Sequence, residues 1–491
     1  LAEMNDAEAE TLASPAAPIV LLQAHENSPI AGNVNPGLNT VGVMLPTTPL
    51  HWLLLQQCDF PLVVTSANRE GEPLFYQDRS HSEIINTLAD CWLEHDRPIE
   101  RPIDDSVVRW MAGRLVTIRL ARGLAPLSLD LEHPQPAIAL GGHQKAAVAL
   151  NNGAQSVLAP HIGDLESLAV CERYEEQLES LQQLYAVSQA DYICDEHPDY
   201  FTSNRASQPG SRVERVQHHH AHIVAGMLEQ GWLDRQVLGV AFDGTGRGDD
   251  QTIWGGEFLL STAAQYTRVG HLKPFLLPGG EAAVREPYRV AVSLMTETLG
   301  PETALNTGIK TELVRPVLQI IKSKRLSPRT SSVGRLFDGV AALVLGVTQS
   351  EYEGQAAMLL EASCNLSEAG SYEMPLSQGA PIQLDWRPCI AAILRDRKAG
   401  VSTGVMAMRF HRGLARGTAR LCRQFMPLSV VLGGGVFQNR CLVELLAEEL
   451  RQNDQPLGLP GRIPPNDGGL AAGQLAVAIV RSKQKGAAPC V

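Results

Sequence analysis

Val237-Leu-Gly-Val-Ala-Phe242 runs straight into Asp243-Gly-Thr-Gly246, and farther along the chain Val430-Val-Leu432 runs into Gly433-Gly-Gly-Val436. Each is a short apolar run closed by a glycine turn. A run of that length, with β-branched residues in it, reads as a buried strand. A buried strand that feeds a glycine turn and then a helix is the unit of a doubly wound α/β domain, with the turn amides facing a phosphate. Two such units imply two halves of similar grammar within one region. That region opens at Ala137-Ile-Ala-Leu140, passes through Gly141-Gly-His-Gln-Lys145 and continues to residue 491 without a second clear linker. Residues 262–330 are less regular and are expected to be an insertion between the halves.

Upstream, Ala17-Pro-Ile-Val-Leu-Leu22 reads as a strand, residues 50–57 as a helix, and Pro61-Leu-Val-Val-Thr65 as a buried strand ending in Ser66-Ala-Asn68. Strands and helices alternate to about Ser128. The polar stretch Leu129-Asp-Leu-Glu-His-Pro-Gln-Pro136, with its two prolines, is the expected linker. At roughly 150 residues per domain, a chain of 491 residues is expected to hold two or three domains. Its 41 basic against 53 acidic residues give a net charge of -12 with no run of five or six like charges, so a nucleic-acid-coating surface is not expected. The nine cysteines include no C-x-x-C pair, which argues against a disulfide framework or a thiolate zinc site and for a reducing cytoplasm. No apolar run reaches the ~18 residues of a spanning helix, so neither a signal peptide nor a membrane span is expected.

The sharpest chemical pattern is His218-His-His-Ala-His222, followed by Ile223, Val224, Met227 and Leu228 at helical spacing and by Gly231 as the helix stop. His218 and His222 then share one helix face a turn apart, the geometry by which two imidazoles bind one metal. Unlike the zinc-protease motif, no Glu stands between them to act as a base. A polar helix start with satisfied histidines would explain one isolated His, but less easily a spaced pair. Two imidazoles leave a metal incomplete, and two aspartates stand at glycine-rich corners, Asp243 and Asp467, the latter in Pro464-Pro-Asn-Asp-Gly-Gly469. Asp-Gly is also ordinary turn chemistry. A mixed nitrogen and oxygen set suits iron, zinc or manganese better than calcium.

The turn Gly433-Gly-Gly-Val-Phe-Gln-Asn439 lets backbone amides approach a nucleotide, with Asn439 able to hydrogen-bond a base; a tight packing turn is the equal alternative. Neither a P-loop nor a dinucleotide fingerprint is present. Thr65-Ser-Ala-Asn68 and Arg119-Leu-Ala-Arg-Gly123 offer anion contacts, or simply a capped helix start and surface arginines. No nucleophile stands out, and Cys194, beside Asp195-Glu-His197, is expected to be a small core residue because acidic neighbours raise a thiol pKa.

These residues resemble a known family. From 137 to 491 the chain resembles the C-terminal domain of the hydrogenase maturation carbamoyltransferases (HypF), related to the tRNA threonylcarbamoyl transferases. That domain is bilobal, on the actin and sugar-kinase-like ATPase fold, a duplicated ribonuclease-H-like α/β architecture. The matching blocks include His161-Ile-Gly-Asp-Leu-Glu166, Asp195-Glu-His-Pro-Asp-Tyr200, Val216-Gln-His-His-His-Ala-His222, Asp243-Gly-Thr-Gly246, Trp254-Gly-Gly-Glu-Phe258, Ser332-Val-Gly-Arg-Leu-Phe-Asp338, Tyr352-Glu-Gly-Gln-Ala-Ala357, Phe410-His411, Gly434-Gly-Val-Phe-Gln-Asn439 and Asn466-Asp-Gly-Gly-Leu470. Residues 1–128 resemble the later part of the YrdC-like carbamoyl-adenylate-forming α/β domain, through Pro36-Gly-Leu-Asn-Thr-Val-Gly-Val43, Thr65-Ser-Ala-Asn68, Asp104-Asp-Ser-Val107 and Arg119 to Gly123. Three spans follow: a partial YrdC-like domain over 1–128, a linker over 129–136, and a bilobal metal- and nucleotide-binding carbamoyl-transfer domain over 137–491.

The resemblance implies an ATP-dependent carbamoyltransferase with two sites. Carbamoyl phosphate and ATP would give carbamoyl-adenylate at the YrdC-like site. The carbamoyl group would then pass to the C-terminal cysteine of the partner HypE, the precursor of the cyanide ligands of nickel-iron hydrogenases. It implies His218, His222, Asp243 and Asp467 as catalytic metal ligands holding zinc or iron, with magnesium as a further candidate beside ATP or AMP. Nucleotide contacts would come from Gly244, Thr245, Asp338, Gly434, Gly435 and Asn439, while Ser66, Asn68, Arg119 and Arg122 would line the YrdC-like site. No membrane partner is implied, and a nucleic-acid partner is not expected.

The chain also departs from that pattern. No acylphosphatase-like domain, paired C-x-x-C fingers or first strand and helix of the YrdC-like domain precede Leu1, so a start truncated through that domain is expected. Leu124 stands where an aromatic residue is common. Transfer from supplied carbamoyl-adenylate is therefore better supported than adenylate formation by this chain alone. The alternatives are tRNA threonylcarbamoylation, small-molecule O-carbamoylation and a non-catalytic module that docks HypE. Tyr352-Glu-Gly-Gln-Ala-Ala357 and the order of the domains favour the hydrogenase branch.

Overall fold

The two strand-to-turn units are neighbours in one sheet: Val237–Arg247 and Val430–Gly433 pair in parallel, so both belong to the second half rather than one to each, and the duplication is carried by strand order instead. A computed structural model of the chain describes residues 1–25, 27–69, 71–76, 82–93, 96–207, 212–305 and 308–487; Cys490 lies outside them. In the first half, Ala137–Ala139, Ala149–Asn151 and Ser156–Leu158 run antiparallel, Asp191–Asp195 lies parallel to Ala137–Ala139, and Val213–Val216 lies parallel to Asp191–Asp195. In the second half, Val237–Arg247, Ile253–Ser261 and Tyr266–Leu272 form the antiparallel set, followed by Val430–Gly433 and Leu457–Gly458 in parallel. Counted from its own first strand, each half reads third, second, first, fourth, fifth. This is the duplicated ribonuclease-H-like arrangement. The central strands are buried on both faces, as parallel neighbours require.

After the fifth strand of each half comes a helix, His218–Gln230 in the first and Leu470–Ala487 in the second. These two helices pack against each other in a core that includes Ala221, Ile223, Val224, Ala472, Leu475 and Ala476. Gly473 permits the contact, since a Cβ there would stand 1.9 Å from the Ala221 carbonyl oxygen. The junction of the halves is thus made of backbone against backbone.

The irregular stretch differs from expectation. Tyr266–Leu272 belongs to the second sheet, and the helical insert lies beyond it, running through Pro287–Leu299, Thr311–Ile321, Val333–Leu345, Arg387–Lys398 and Thr403–Arg423. The strand is half-exposed at its start and interrupted by Thr267, Arg268 and Gly270, so its apolar pattern is weak. The insert packs Phe337, Trp386 and Phe410 into one core with Leu238, Val240 and Phe258 of the second-half sheet.

In the first region, Ile19–Ala24 is the centre of a sheet with Ala2–Glu3, Thr40–Val43, Val107–Met111 and Arg114–Arg119. The expected helix appears as Pro49–Leu55, capped by Thr48. Residues 61–65 form no strand: Val63 and Val64 are exposed, and no described strand lies beside them. Apolar composition alone supplies no pairing partner. Leu127–Leu129, placed by composition in the first domain and at the start of the linker, pairs with Ser156–Leu158 and so extends the first-half sheet. The Asn151 amide then ties down the carbonyls of His133 and Gln135, so the proline-bearing stretch is packed.

The hairpin of Val107–Met111 and Arg114–Arg119 docks the first region onto the larger body. Arg109 pairs with Glu361 at 2.8 Å, Arg114 with Glu229 at 3.3 Å, and the Thr117 amide donates to the Gly461 carbonyl at 2.8 Å. No described helix is long and apolar enough to cross a membrane.

Replacing Gly with Ala inside a helix ordinarily gains about 1 kcal/mol. Gly473→Ala is expected to do the opposite, lowering stability by on the order of 2 kcal/mol through overpacking. Thermal or urea unfolding checks the sign, and a stabilised variant would contradict the backbone contact with Ala221.

Candidate functional site

The histidine helix begins at a cap in which the Gln217 side chain accepts from the His220 amide at 2.9 Å. One turn of helix brings the Nε2 atoms of His218 and His222 to 3.2 Å from each other. The His218 Nδ1–H donates to the Asp195 carboxylate at 2.8 Å, which turns the Nε2 lone pair toward His222. Asp243 stands where the register of the long strand shifts between Phe242 and Gly246. Its Oδ2 lies 3.3 Å from His218 Nε2 and 3.2 Å from His222 Nε2. Asp467 opens the turn ahead of the helix Leu470–Ala487, and its Oδ1 lies 3.7 and 3.3 Å from the same two nitrogens. The four side chains proposed from spacing converge, two from each half.

A tetrahedral shell with bonds of ~2.0–2.1 Å has donors about 3.3 Å apart. The observed separations of 3.2–3.7 Å fit that size without rearrangement. The donor chemistry, two imidazoles and two carboxylates, suits a borderline divalent metal. Charge balance points the same way. Burial opposes a charge on His218, yet the carboxylates of Asp467 and Asp195 hold its pKa well above the ordinary imidazole value. His222 is also raised against burial, by hydrogen bonds to Asp243 and Asp467. Burial would raise Asp243, but its bonds to the two imidazoles hold it well below the usual carboxylate range. The pocket wants positive charge, from protons or from a metal.

The other two histidines of the run belong to the core. Burial, with His218 beside it, holds His219 well below its ordinary pKa, and burial lowers His220 to about 4, with its Nε2 2.9 Å from the Thr262 carbonyl. A second group with metal-ligand chemistry, Cys364, His411 and Cys441, lies within the insert side of the body. There His411 Nδ1 sits 2.8 Å from the Ala407 carbonyl and its Nε2 3.0 Å from Asn439 Nδ2. Both ring nitrogens are used, and His411 holds Asn439 in place. Cys194 is a buried strand residue, its thiol pKa raised by burial.

Asp243 also organises the turns. Its Oδ1 accepts from the amides of Gly244 at 2.8 Å and Gly435 at 3.2 Å. Ser332, the cap of the helix Val333–Leu345, donates to the carbonyls of Asp243 and Gly244. The Gly434 amide goes to the Pro465 carbonyl at 2.8 Å. Its φ of +102° and a virtual Cβ 2.2 Å from the Phe242 carbonyl make its part conformational. Gly434 does not line the cavity in front of the site, whereas Gly244, Thr245, Asp338, Gly435 and Asn439 do.

That cavity is about 600 Å³ and reaches from Asp243 and Asp467 to Thr40 and Arg109 of the first region. One wall is a stack of three rings, Tyr200 between His197 at 4.2 Å and His143 at 5.3 Å. Asp338 pairs with Arg335 at 2.8 Å, and burial pushes its pKa up to about 6 despite that neighbour. A smaller cavity of about 340 Å³ adjoins it, lined by Arg119 and by His161, which burial and Arg119 lower to about 4. The two cavities share Ile118, Lys145, Gln438 and Asn466.

The residues expected at the YrdC-like site are not brought together. Arg119 lines the smaller cavity, but Arg122 is engaged by Asp105 at 2.7 Å and by the carbonyl of Ala17 at 3.0 Å. Ser66 and Asn68 bond each other on a surface segment and line neither cavity. Conversely, Asp195, His411 and Arg335 act on site residues without having been singled out. Their blocks were visible in the sequence, but spacing along the chain carries no sign of which side chain backs which ligand.

Family models match three stretches of the chain. One described as "Carbamoyltransferase, Kae1-like Domain, second subdomain" matches 239–474, one described as "HypF Kae1-like domain" matches 132–229, and the Sua5/YciO/YrdC model, described as telomere recombination, matches 1–121. The carbamoyltransferase HypF of Synechocystis is 39% identical over 98% of this chain and 65% of its own length. The carbamoyltransferase HypF homolog of Cupriavidus necator is 34% identical over 70% of this chain and 91% of its own length. A crystal structure of full-length HypF in a phosphate- and nucleotide-bound form superposes with a TM-score of 0.93 at 34% identity, covering 98% of this chain and 76% of that one. This chain spans about two thirds of the first of these relatives, 65% of its length.

Protons and metal compete for the same four groups. Because neighbouring carboxylates hold the pKa values of His218 and His222 above the ordinary imidazole value, zinc uptake is expected to release protons and to weaken with falling pH already above about 6.5. Calorimetry in buffers of different ionisation enthalpy measures the release. Asp195→Asn, which removes the carboxylate behind His218, should lower zinc affinity by roughly 10–100-fold.

Proposed function

The chain belongs to the HypF carbamoyltransferase family, and from that premise we propose that it transfers a carbamoyl group from carbamoyl-adenylate to the C-terminal cysteine of the hydrogenase maturation protein HypE. The observation that carries this reading is the convergence of His218, His222, Asp243 and Asp467, the two aspartates lining a cavity that Asn439 and Asp338 line as well. A metal held by those four would act as a Lewis acid toward the carbonyl or phosphate oxygen of the adenylate, with zinc and iron the best fits to the donor set.

The remaining work falls to the chain. Asn439, whose Nδ2 donates to His411 and whose Oδ1 caps the helix Arg440–Arg451, lines the cavity from the turn that begins at Gly434, beside the proposed position of the adenine or ribose. Asp243 keeps both glycine turns in register, so the site stays shaped before the substrate arrives. The stacked rings of His143, Tyr200 and His197 close one side and exclude water from a labile mixed anhydride. The attacking species is the thiolate of HypE, its proton given to solvent. Its sulfur forms a bond to the carbamoyl carbon, the bond from that carbon to the phosphate oxygen breaks, and AMP leaves with the electron pair. Carbamoyl phosphate and ATP are the proposed sources of the adenylate, and the cytoplasm is the proposed compartment. Its formation requires a YrdC-like site, of whose four expected residues Arg119 lines the adjoining cavity.

The full chain, mixed with HypE and synthetic carbamoyl-adenylate, is expected to add one carbamoyl group to the HypE C-terminal cysteine by mass spectrometry. His218→Ala should lower that rate at least about 100-fold by removing a metal ligand. A chain that binds HypE yet gives no mass shift, with His218→Ala indistinguishable from wild type, would leave a docking role in place of transfer.

A further inference from the structure

Lys145 occupies a position that its backbone pays for. Its φ is +46°, in the left-handed region that a non-glycine residue enters only when its surroundings hold it there. What holds it is Asp164, whose Oδ1 accepts the Lys145 amide at 2.6 Å, together with the bridge between Ala146 and Gly163. The turn so built follows the first strand of the first half, Ala137–Ala139, just as Asp243-Gly-Thr-Gly246 lies at the end of the first sheet run of the second. It delivers the ammonium to the seam between the two cavities, both of which Lys145 lines.

The partner at that seam is Glu353, from Tyr352-Glu-Gly-Gln-Ala-Ala357, with Nζ and Oε2 2.5 Å apart. The other Glu353 oxygen lies 3.7 Å from where a Cβ on Gly244 would stand, so the ion pair abuts the turn that carries Asp243. Arg335 reaches the same spot to 3.0 Å but is already paired with Asp338. Both side chains of the Lys145–Glu353 pair remain about a third exposed, at 32% and 36%, so an anion entering the cavity can reach the ammonium. A partly solvated ion pair contributes little to stability and is readily exchanged. A phosphate offers a stronger, charge-assisted partner than a solvated carboxylate.

We propose that Lys145 is the phosphate-positioning residue of the transfer site, exchanging Glu353 for the phosphate of the adenylate and of the departing AMP. This rests on the reading of the larger cavity as the adenylate site. It also gives the Tyr-Glu-Gly-Gln-Ala-Ala block a part, since Glu353 holds the ammonium ready while the site is empty and competes with the ligand for it.

The test compares AMP with adenosine, which differ only in the phosphate, by calorimetric titration of the full chain. Lys145→Met is expected to weaken AMP about tenfold while leaving adenosine unchanged, and Lys145→Arg to retain most of the preference. Glu353→Gln, which removes the competing carboxylate, is expected to raise the AMP-to-adenosine affinity ratio severalfold, a gain that a poorly folded variant cannot imitate. An unchanged ratio in both Lys145→Met and Glu353→Gln overturns the proposal while leaving the adenylate site standing. Equal loss of both nucleotides in Lys145→Met overturns it as well. A wild-type chain that binds neither nucleotide overturns the inference and the reading beneath it together.

Discussion

The carboxylate of Asp243 is the interaction on which the rest of the site depends. One oxygen faces the Nε2 atoms of His218 and His222, and the other accepts the amides of Gly244 and Gly435. The first contact belongs to the metal seat and the second to the two glycine turns, one at the end of each strand-to-turn unit. A shift of this single side chain would disturb both. Its burial makes the arrangement demanding, because an unpaired carboxylate in that place would cost several kcal/mol. The paired imidazoles, or a cation between them, remove that penalty.

Duplication explains why the ligands meet at all. Each half follows the fifth strand of its shared order with a helix, and the two helices touch at Ala221 and Gly473 without side chains between them. His218 and His222 ride on one, Asp467 immediately precedes the other, and Asp243 comes from the central strand of the second half. The four converging side chains therefore lie on the seam between halves, and the larger cavity opens from Asp243 and Asp467. The first region, docked through Arg109, Arg114 and Thr117, supplies the opposite wall. A ligand between them contacts both parts of the chain.

Much of this was legible before any coordinates. The strand-to-turn units are legible from their apolar runs and glycines, though not that both belong to the second half, and the four side chains that converge are legible from helical spacing plus the need for carboxylates. What spacing cannot report is lateral support. Asp195 lies 23 residues from His218 in sequence yet orients its ring, and His411 orients Asn439 across 28 residues. Pairing partners are equally invisible, which is why Pro61-Leu-Val-Val-Thr65 looked like a buried strand and is not one. Leu127–Leu129 joined a sheet that composition had placed beyond a linker, because edge strands need only a few alternating residues. The four histidines of 218–222 look alike in sequence and all are buried; their neighbours separate the two that face carboxylates from the two that do not.

The central claim is that one metal is held by the two imidazoles and two carboxylates at the seam of the halves. X-ray absorption spectroscopy of the chain loaded with one equivalent of zinc tests it most directly. The account predicts a shell of nitrogen and oxygen donors alone, at about 2.0–2.1 Å and with the multiple-scattering signature of imidazole. A sulfur scatterer at about 2.3 Å would instead place the metal at Cys364, His411 and Cys441 and contradict the account.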